Sequence, residues 1–205
     1  LKLDDPVERW LPQNKGFPGG VHLRDRKGDP VRLIDLATHR SGLPRVPDNM
    51  PTTVRFNPYA DYGEHELLTY LRSRAVTVEA DAADPGKAQP ATRLRGEAYE
   101  YSNLGVGLLG YVLGRALGSG YAEALRERVL KPLALNATYV DVPRDARVRL
   151  ADGHYVENGM TPKRATHWTF DALAGAGALV MSGNDMARYA QAAAGFIDTP
   201  LLAAF

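Results

Sequence analysis

The sequence predicts a mostly α fold with little strand, and three observations carry that prediction. Apolar residues recur at helical spacing in six segments, one segment reads as a strand, and the connections are dense in Gly and Pro. At 205 residues the chain is long enough for one domain with a real core.

Leu3 to Leu11 carries a helix-start signal: Asp5 as N-cap, Pro6 at the first helical position, and Val7, Trp10 and Leu11 on one side. The adjacent Asp4-Asp5 pair fits the positive end of that helix. Residues 12–30 are rich in Gly, Pro and charge and read as loop. Leu33 to His39 is a short amphipathic helix, stopped by Arg40-Ser41-Gly42-Leu43-Pro44. Glu64 to Arg74 is a helix with Leu67, Leu68 and Leu71 on one face. Residues 76–92 have a linker-like composition and read as a solvated surface insert. Asn103 to Leu117 and Tyr121 to Val129 are helices, the second ended by Lys131-Pro132. Thr138 to Val142 is the best strand candidate, with 148–156 a weaker one. Gly175 to Gly177 is a tight turn, and Ser182 to Ala194 is a helix opened by a capping-box-like Ser182 and Asp185.

Composition excludes several classes of function. The 25 basic and 24 acidic residues are mixed along the chain, so the basic face that a nucleic-acid partner requires is missing. No apolar run reaches membrane-spanning length, and no N-terminal signal pattern is present. The chain starts at Leu1 without Met, which leaves room for a signal peptide upstream. Zero cysteines exclude disulfides, thiolate zinc sites and a cysteine nucleophile. The five histidines show no metal-ligand spacing, and neither metal nor cofactor is expected.

The chemically suggestive stretch is Gly96 to Gly110, which sets Tyr101-Ser102-Asn103 before an apolar, glycine-spaced helix. A phenol and a carboxamide two residues apart at a helix mouth can face one pocket, where one moves a proton and the other holds an amide. The run Gly105-x-Gly107-x-x-Gly110 has the form of a dinucleotide motif, but its lead-in is polar and turn-like and no second strand follows. Small residues for close helix packing explain it better. His39 lies near Ser41, yet no G-x-S-x-G elbow is present, and a ring bonded to loop backbone is the simpler reading.

Four segments in order resemble one superfamily: Leu1-Lys-Leu-Asp-Asp-Pro-Val, Leu36-Ala-Thr-His-Arg-Ser-Gly-Leu-Pro-Arg45, Tyr99-Glu-Tyr-Ser-Asn-Leu-Gly through Gly110, and Gly177-Ala-Leu through Asp185-Met-Ala-Arg188. Together they resemble the class C β-lactamase and penicillin-binding-protein-like serine hydrolases, and the second is similar to the AmpH type, which acts on peptidoglycan peptides. The resemblance implies a cleft where a Ser-x-x-Lys nucleophile, a Tyr-x-Asn motif and a late Lys/His-x-Gly strand meet. Tyr101 matches the tyrosine that activates the serine and returns a proton to the leaving group. Asn103 matches the asparagine that binds the substrate amide and steadies the lysine. A phenol, with a reference pKa of about 10, needs a nearby ammonium to act as a base at neutral pH. The resemblance also implies Pro44 and Arg45 on one groove wall and Gly177 on the other, as substrate-binding residues.

Nowhere in the chain does Ser-x-x-Lys occur, nor a late Lys/His-Thr-Gly. Arg95 and the 76–92 insert also depart from the pattern. The expectation is therefore a single partial domain over 1–205, the helical lobe of the α/β serine β-lactamase fold. The nucleophile helix and most of the β lobe would lie outside it. The implied parent is a periplasmic or secreted acyl-enzyme hydrolase of D-alanyl peptides, β-lactams or small esters. The alternatives are an esterase of the same fold or a non-catalytic module. Tyr101 and Asn103 should face a common groove, and the lobe alone should expose apolar surface, self-associate or pair with the missing segments.

Overall fold

In the computed structural model the described residues are 1–13, 20–25, 27–51, 57–81, 98–157, 159 and 161–199, with backbone alone over 74–81. They form five helices, α1 (Leu33–Ala37), α2 (Glu64–Asp81), α3 (Asn103–Leu117), α4 (Tyr121–Leu125) and α5 (Gly183–Ala193). The strands are β1 (Thr138–Tyr139), β2 (His154–Tyr155), β3 (Lys163–Arg164) and β4 (Val180–Met181). β1 pairs antiparallel with β4 and β2 with β3, in two separate ribbons. Helix outweighs strand among the described residues, and turns and irregular segments make up much of the rest.

The start of the chain is more extended than its sequence predicts. Only Val7–Trp10 turns, as a 3-10 helix, and Pro6 is extended because it pairs with Arg32. The Val7 amide bonds to the Val31 carbonyl at 2.9 Å, so a distant segment takes the donor that a helix start leaves open. Asp4 reaches the Arg32 guanidinium at 2.6 Å, and Asp5 accepts the Lys2 amide at 2.8 Å. Arg32 in turn caps α1, its amide and guanidinium both donating to Asp35. That pairing holds the Arg32 guanidinium pKa above its ordinary value.

α2 runs past Arg74 to Asp81, taking in the first residues of the expected surface insert. Its sequence meets no breaker before Pro85-Gly86. Residues 82–92 of that insert, and Arg95, lie outside the described residues. α3 begins and ends where expected: Ser102 is its N-cap, and Gly118, at φ 70°, its left-handed C-cap. α4 is shorter than the sequence suggests, because Arg126–Leu130 widens into a π-turn in which the Lys131 amide bonds to Arg126. The 138–142 strand shrinks to its first two residues, and the weaker candidate yields a 3-10 turn at Arg147–Arg149 and β2.

One core gathers Val7, Leu11, Leu36, Leu43, Leu67, Leu71, Leu104, Leu108, Val112 and Leu173. Fully burying a side chain of this kind contributes about 1.5–3 kcal/mol. A smaller cluster joins Leu130, Leu133 and Leu135 to Ala192 of α5. The glycines of α3 are packing residues. A Cβ on Gly107 would stand 2.6 Å from Leu173 Cδ2, and one on Gly110 would stand 2.9 Å from Gly175 Cα. Helix α3 thus lies backbone to backbone against the 3-10 turn Ala174–Ala176.

α5 is fixed to β1 through Asp185. Ser182 accepts the Asp185 amide, but the Asp185 carboxylate does not close a capping box. It accepts from the Ala137 amide at 2.8 Å and the Thr138 hydroxyl at 2.7 Å. No helix among the described residues is long and apolar enough to cross a membrane.

Candidate functional site

The site is built at the N-terminus of α3. Ser102 is fully buried, and its hydroxyl accepts the Gly105 amide at 2.8 Å and donates to the Pro44 carbonyl at 2.6 Å. The Leu104 amide bonds to the Arg45 carbonyl at 3.2 Å, and the Glu100 amide to the His39 carbonyl at 2.8 Å. These bonds stitch residues 39–45 to residues 100–104. They do so because a helix N-terminus leaves amides open and the neighbouring loop offers carbonyls.

His39 completes the seam. Its φ of 55° places it in the left-handed region, and its Nδ1 accepts the Ser102 amide at 3.1 Å. Nδ1 must be bare to accept, so the neutral ring carries its proton on Nε2. The ring therefore serves the backbone. Ser41 is buried and its hydroxyl accepts the Leu43 amide, so the two side chains form no catalytic pair.

Tyr101 is 49% exposed. Its ring lies 4.7 Å from the His39 ring, and the Arg45 guanidinium stands 5.8 Å from its centroid. The phenol end has no hydrogen-bond partner among the described residues. Packing on one side and openness on the other leave this hydroxyl free to meet a ligand. Pro44 and Arg45 are thus brought to Tyr101 by the same backbone bonds that start the helix.

Asn103 is half-buried, and its Nδ2 donates to the Tyr59 hydroxyl at 2.8 Å. That bond fixes the carboxamide and leaves its second N–H and its oxygen without partners among the described residues. Tyr59 opens onto an aromatic wall that the sequence pattern does not reveal. Its ring stacks on Phe170 at 4.8 Å and 20°, and Trp168 tilts against it at 5.5 Å. Gly177 is exposed beside this wall, with a Cβ position 3.5 Å from Phe170 Cζ. The five predicted residues therefore fall into two groups: Tyr101 with Pro44 and Arg45, and Asn103 with Gly177 reached through Tyr59 and Phe170.

None of the five serines of the chain is set up as a nucleophile. Ser102 and Ser182 cap helices, Ser41 closes a turn, Ser73 donates to the Tyr70 carbonyl, and Ser119 is exposed beyond the end of α3. No three His, Asp or Glu side chains among the described residues converge on a metal position. A cleft of about 470 Å³ lies at the other end of α3, lined by Glu64, Tyr111, Arg115, Tyr121 and Asp171 among others. No predicted site residue lines it. Burial and the hydrogen bond to Glu64 hold the Tyr111 phenol well above its ordinary pKa.

Comparison with known proteins yields one family. The model of the Beta-lactamase family matches residues 1–202. The chain is 28% identical over 192 residues to the D-alanyl-D-alanine-carboxypeptidase/endopeptidase AmpH of Escherichia coli, covering 93% of this chain and 42% of that protein. It is 27% identical to a Beta-lactamase of the same organism, covering 93% of this chain and 41% of that one. A class C β-lactamase structure from Rhodobacter sphaeroides superposes at a TM-score of 0.65 with 27% identity, over 98% of this chain and 47% of its own. A β-lactamase/D-alanine carboxypeptidase from Yersinia pestis superposes at 0.66 with 25% identity, over 93% of this chain and 46% of its own. The chain spans less than half the length of each of these relatives.

Proposed function

The chain belongs to the β-lactamase family, and from that membership we propose that it carries the tyrosine and asparagine half of a serine-hydrolase site working through an acyl-enzyme. The observation that carries this reading is the pairing, at one helix N-terminus, of an exposed Tyr101 phenol with a fixed Asn103 carboxamide. Tyr101 takes the proton of an attacking serine and returns it to the leaving group. Asn103 holds the substrate amide with the N–H and oxygen it does not spend on Tyr59. Pro44 and Arg45 form one wall of the groove and Gly177 part of the other. Residues 1–205 act as one partial domain, the helical lobe of the fold.

The substrates under this reading are D-alanyl peptides of peptidoglycan, β-lactams or small esters. Support for the first two comes from the names of the relatives, a D-alanyl-D-alanine carboxypeptidase/endopeptidase and β-lactamases. A peptidoglycan substrate places the protein in the periplasm or outside the cell. One observation favours a second reading, a non-catalytic binding module: the chain has no Ser-x-x-Lys and its serines are otherwise engaged or remote.

The test begins with the coding sequence around this chain. A Ser-x-x-Lys segment ahead of Leu1, expressed in one product with residues 1–205, should take up a fluorescent penicillin stoichiometrically. Tyr101→Phe in that product should slow acylation by about 10²–10⁴-fold, the usual contribution of a positioned acid–base group. A reading frame without Ser-x-x-Lys, or a product that takes no label, would decide for the module.

A further inference from the structure

We propose that the cleft at the C-terminal end of α3 is a ligand site of its own, which takes the primary ammonium head of a small aliphatic amine. Its volume of about 470 Å³ is that of a small-molecule pocket. Glycines make the room. The Tyr121 ring lies against Gly110, where a Cβ would stand 3.1 Å from Cδ2, and a Cβ on Gly114 would stand 2.4 Å from the Tyr121 amide nitrogen. α4 therefore starts directly on the backbone of α3, and Gly118 and Gly120 line the cleft without side chains to fill it. Along α3 the cleft is roughly 20 Å from Asn103, at 1.5 Å per residue. The proposal is thus independent of the hydrolase reading.

One wall of the cleft is fixed and neutralised. The Tyr111 hydroxyl donates to Glu64 Oε1 at 2.6 Å, Arg115 Nη1 donates to the same oxygen at 3.3 Å, and Arg115 Nε donates to the Trp10 carbonyl at 2.8 Å. Asp171 is not neutralised: its exposed carboxylate has no hydrogen-bond or ion-pair partner among the described residues. The half-buried Tyr121 hydroxyl has none either, and burial keeps that phenol protonated by raising its pKa. Two carboxylates against one guanidinium leave the lining with a net negative charge, and the carbonyl end of α3 adds to it. The complement is a cation. It carries N–H groups, because a carboxylate and a phenol oxygen both accept hydrogen bonds. The Tyr111 and Tyr121 rings offer apolar surface to a short stem and their faces to the charge. A metal ion fits poorly, since no three acidic or histidine side chains among the described residues converge to replace its water.

Three probes test this on the 205-residue chain at neutral pH and about 0.15 M salt, where long-range charge effects are screened. They are n-butylamine, butyltrimethylammonium, which keeps the charge without N–H groups, and 1-pentanol, which keeps the stem without the charge. Binding is read from the backbone amide NMR signals of Gly114, Gly118 and Gly120. Butylamine should shift them saturably with a Kd of about 1 mM, and the other two probes should bind at least about tenfold more weakly. Asp171→Asn, which has no side-chain bond to lose, should weaken butylamine by about three- to tenfold with an unchanged melting temperature. Asp141→Asn, an exposed carboxylate outside the cleft, should leave binding as it was. No saturable shift with butylamine would overturn the site, as would equal binding of either other probe, a comparison that needs no variant. Binding indifferent to Asp171→Asn, or weakened as much by Asp141→Asn, would overturn it too.

Discussion

His39 accepts the backbone amide of Ser102 at 3.1 Å, fastening the turn after α1 to the residue that starts α3. The bond spans 63 residues of chain and lies directly beneath the exposed Tyr101 ring. Removing it leaves a buried donor unsatisfied, so His39→Ala should destabilise the fold by about 1–3 kcal/mol. His39→Asn should recover part of the loss, because asparagine tolerates a positive φ and offers an acceptor. Urea midpoints check both. Equal stability of His39→Ala and wild type would show that the seam contributes nothing.

Gly107 makes the same kind of test for the packing of α3. Alanine is the better helix former by about 1 kcal/mol, so an exposed glycine-to-alanine change would stabilise. Here the added methyl meets Leu173 at 2.6 Å and its Cα at 3.0 Å. Gly107→Ala should instead destabilise by about 1–3 kcal/mol through overpacking. A rise in melting temperature would mean that the α3 contact with Leu173 is looser than described.

The elements that the sequence made legible are those whose signals are local. The apolar, glycine-spaced run gives α3 its range Asn103 to Leu117, and the structure bounds it there with Ser102 as N-cap and Gly118 as C-cap. The Tyr101-Ser102-Asn103 tripeptide that the sequence singles out stands at that same helix start. What stayed hidden depends on distant partners. Pro6 leaves the helical region to pair with Arg32, and Asp185 passes over its own cap to bind Ala137 and Thr138. The aromatic wall is hidden most deeply, since Tyr59 and Trp168 come from segments that meet through an Asn57–Thr169 bond spanning 112 residues. An exposed tryptophan in a loop, close to two other aromatics in space, has no periodicity to announce it.

Alkaline pH should destabilise the chain. Tyr62 is fully buried with its hydroxyl on Asn49, and burial pushes its phenol well above the ordinary range. Tyr111 is raised by burial and by Glu64, and Tyr121 by burial. Each folded-state value lies above the unfolded one, so their stabilisation is complete below about pH 10 and is lost as pH rises beyond it. Denaturant midpoints should fall above that pH, and absorbance at 295 nm should show a late-titrating set of phenols. Tyr62→Phe should soften the fall. All ten tyrosines titrating together in a chain that stays folded would refute this.

The 205-residue chain alone should form no acyl-enzyme. Its serines cap helices, close turns or stand apart from Tyr101, and no lysine follows any of them at the required spacing. Without a nucleophile only binding and electrostatic contributions to catalysis are left. Incubation with a fluorescent penicillin and gel analysis should show no covalent band. A stoichiometric band that survives denaturation would identify a nucleophile other than Ser-x-x-Lys, and mass mapping would locate it.

The last prediction concerns α5. Of its residues only Asp185 and Ala192 are buried, and Arg188, on the same side, donates to the Leu133 carbonyl. Met186, Tyr189, Ala190 and Ala193 follow one another at helical spacing on the exposed surface, with Met186 55% and Tyr189 46% accessible. Leu179 ahead of the helix and Phe196 behind it are exposed as well. A helix with an apolar stripe turned outward favours association, because covering each such side chain removes apolar area from water. The chain should therefore sediment as a concentration-dependent mixture and bind an apolar dye. Met186→Glu and Phe196→Ser should shift it toward monomer without lowering the melting temperature, since neither side chain packs in a core. A wild-type chain that sediments as a single monomeric species, melts cooperatively and binds no dye would show that this stripe is not an associating surface.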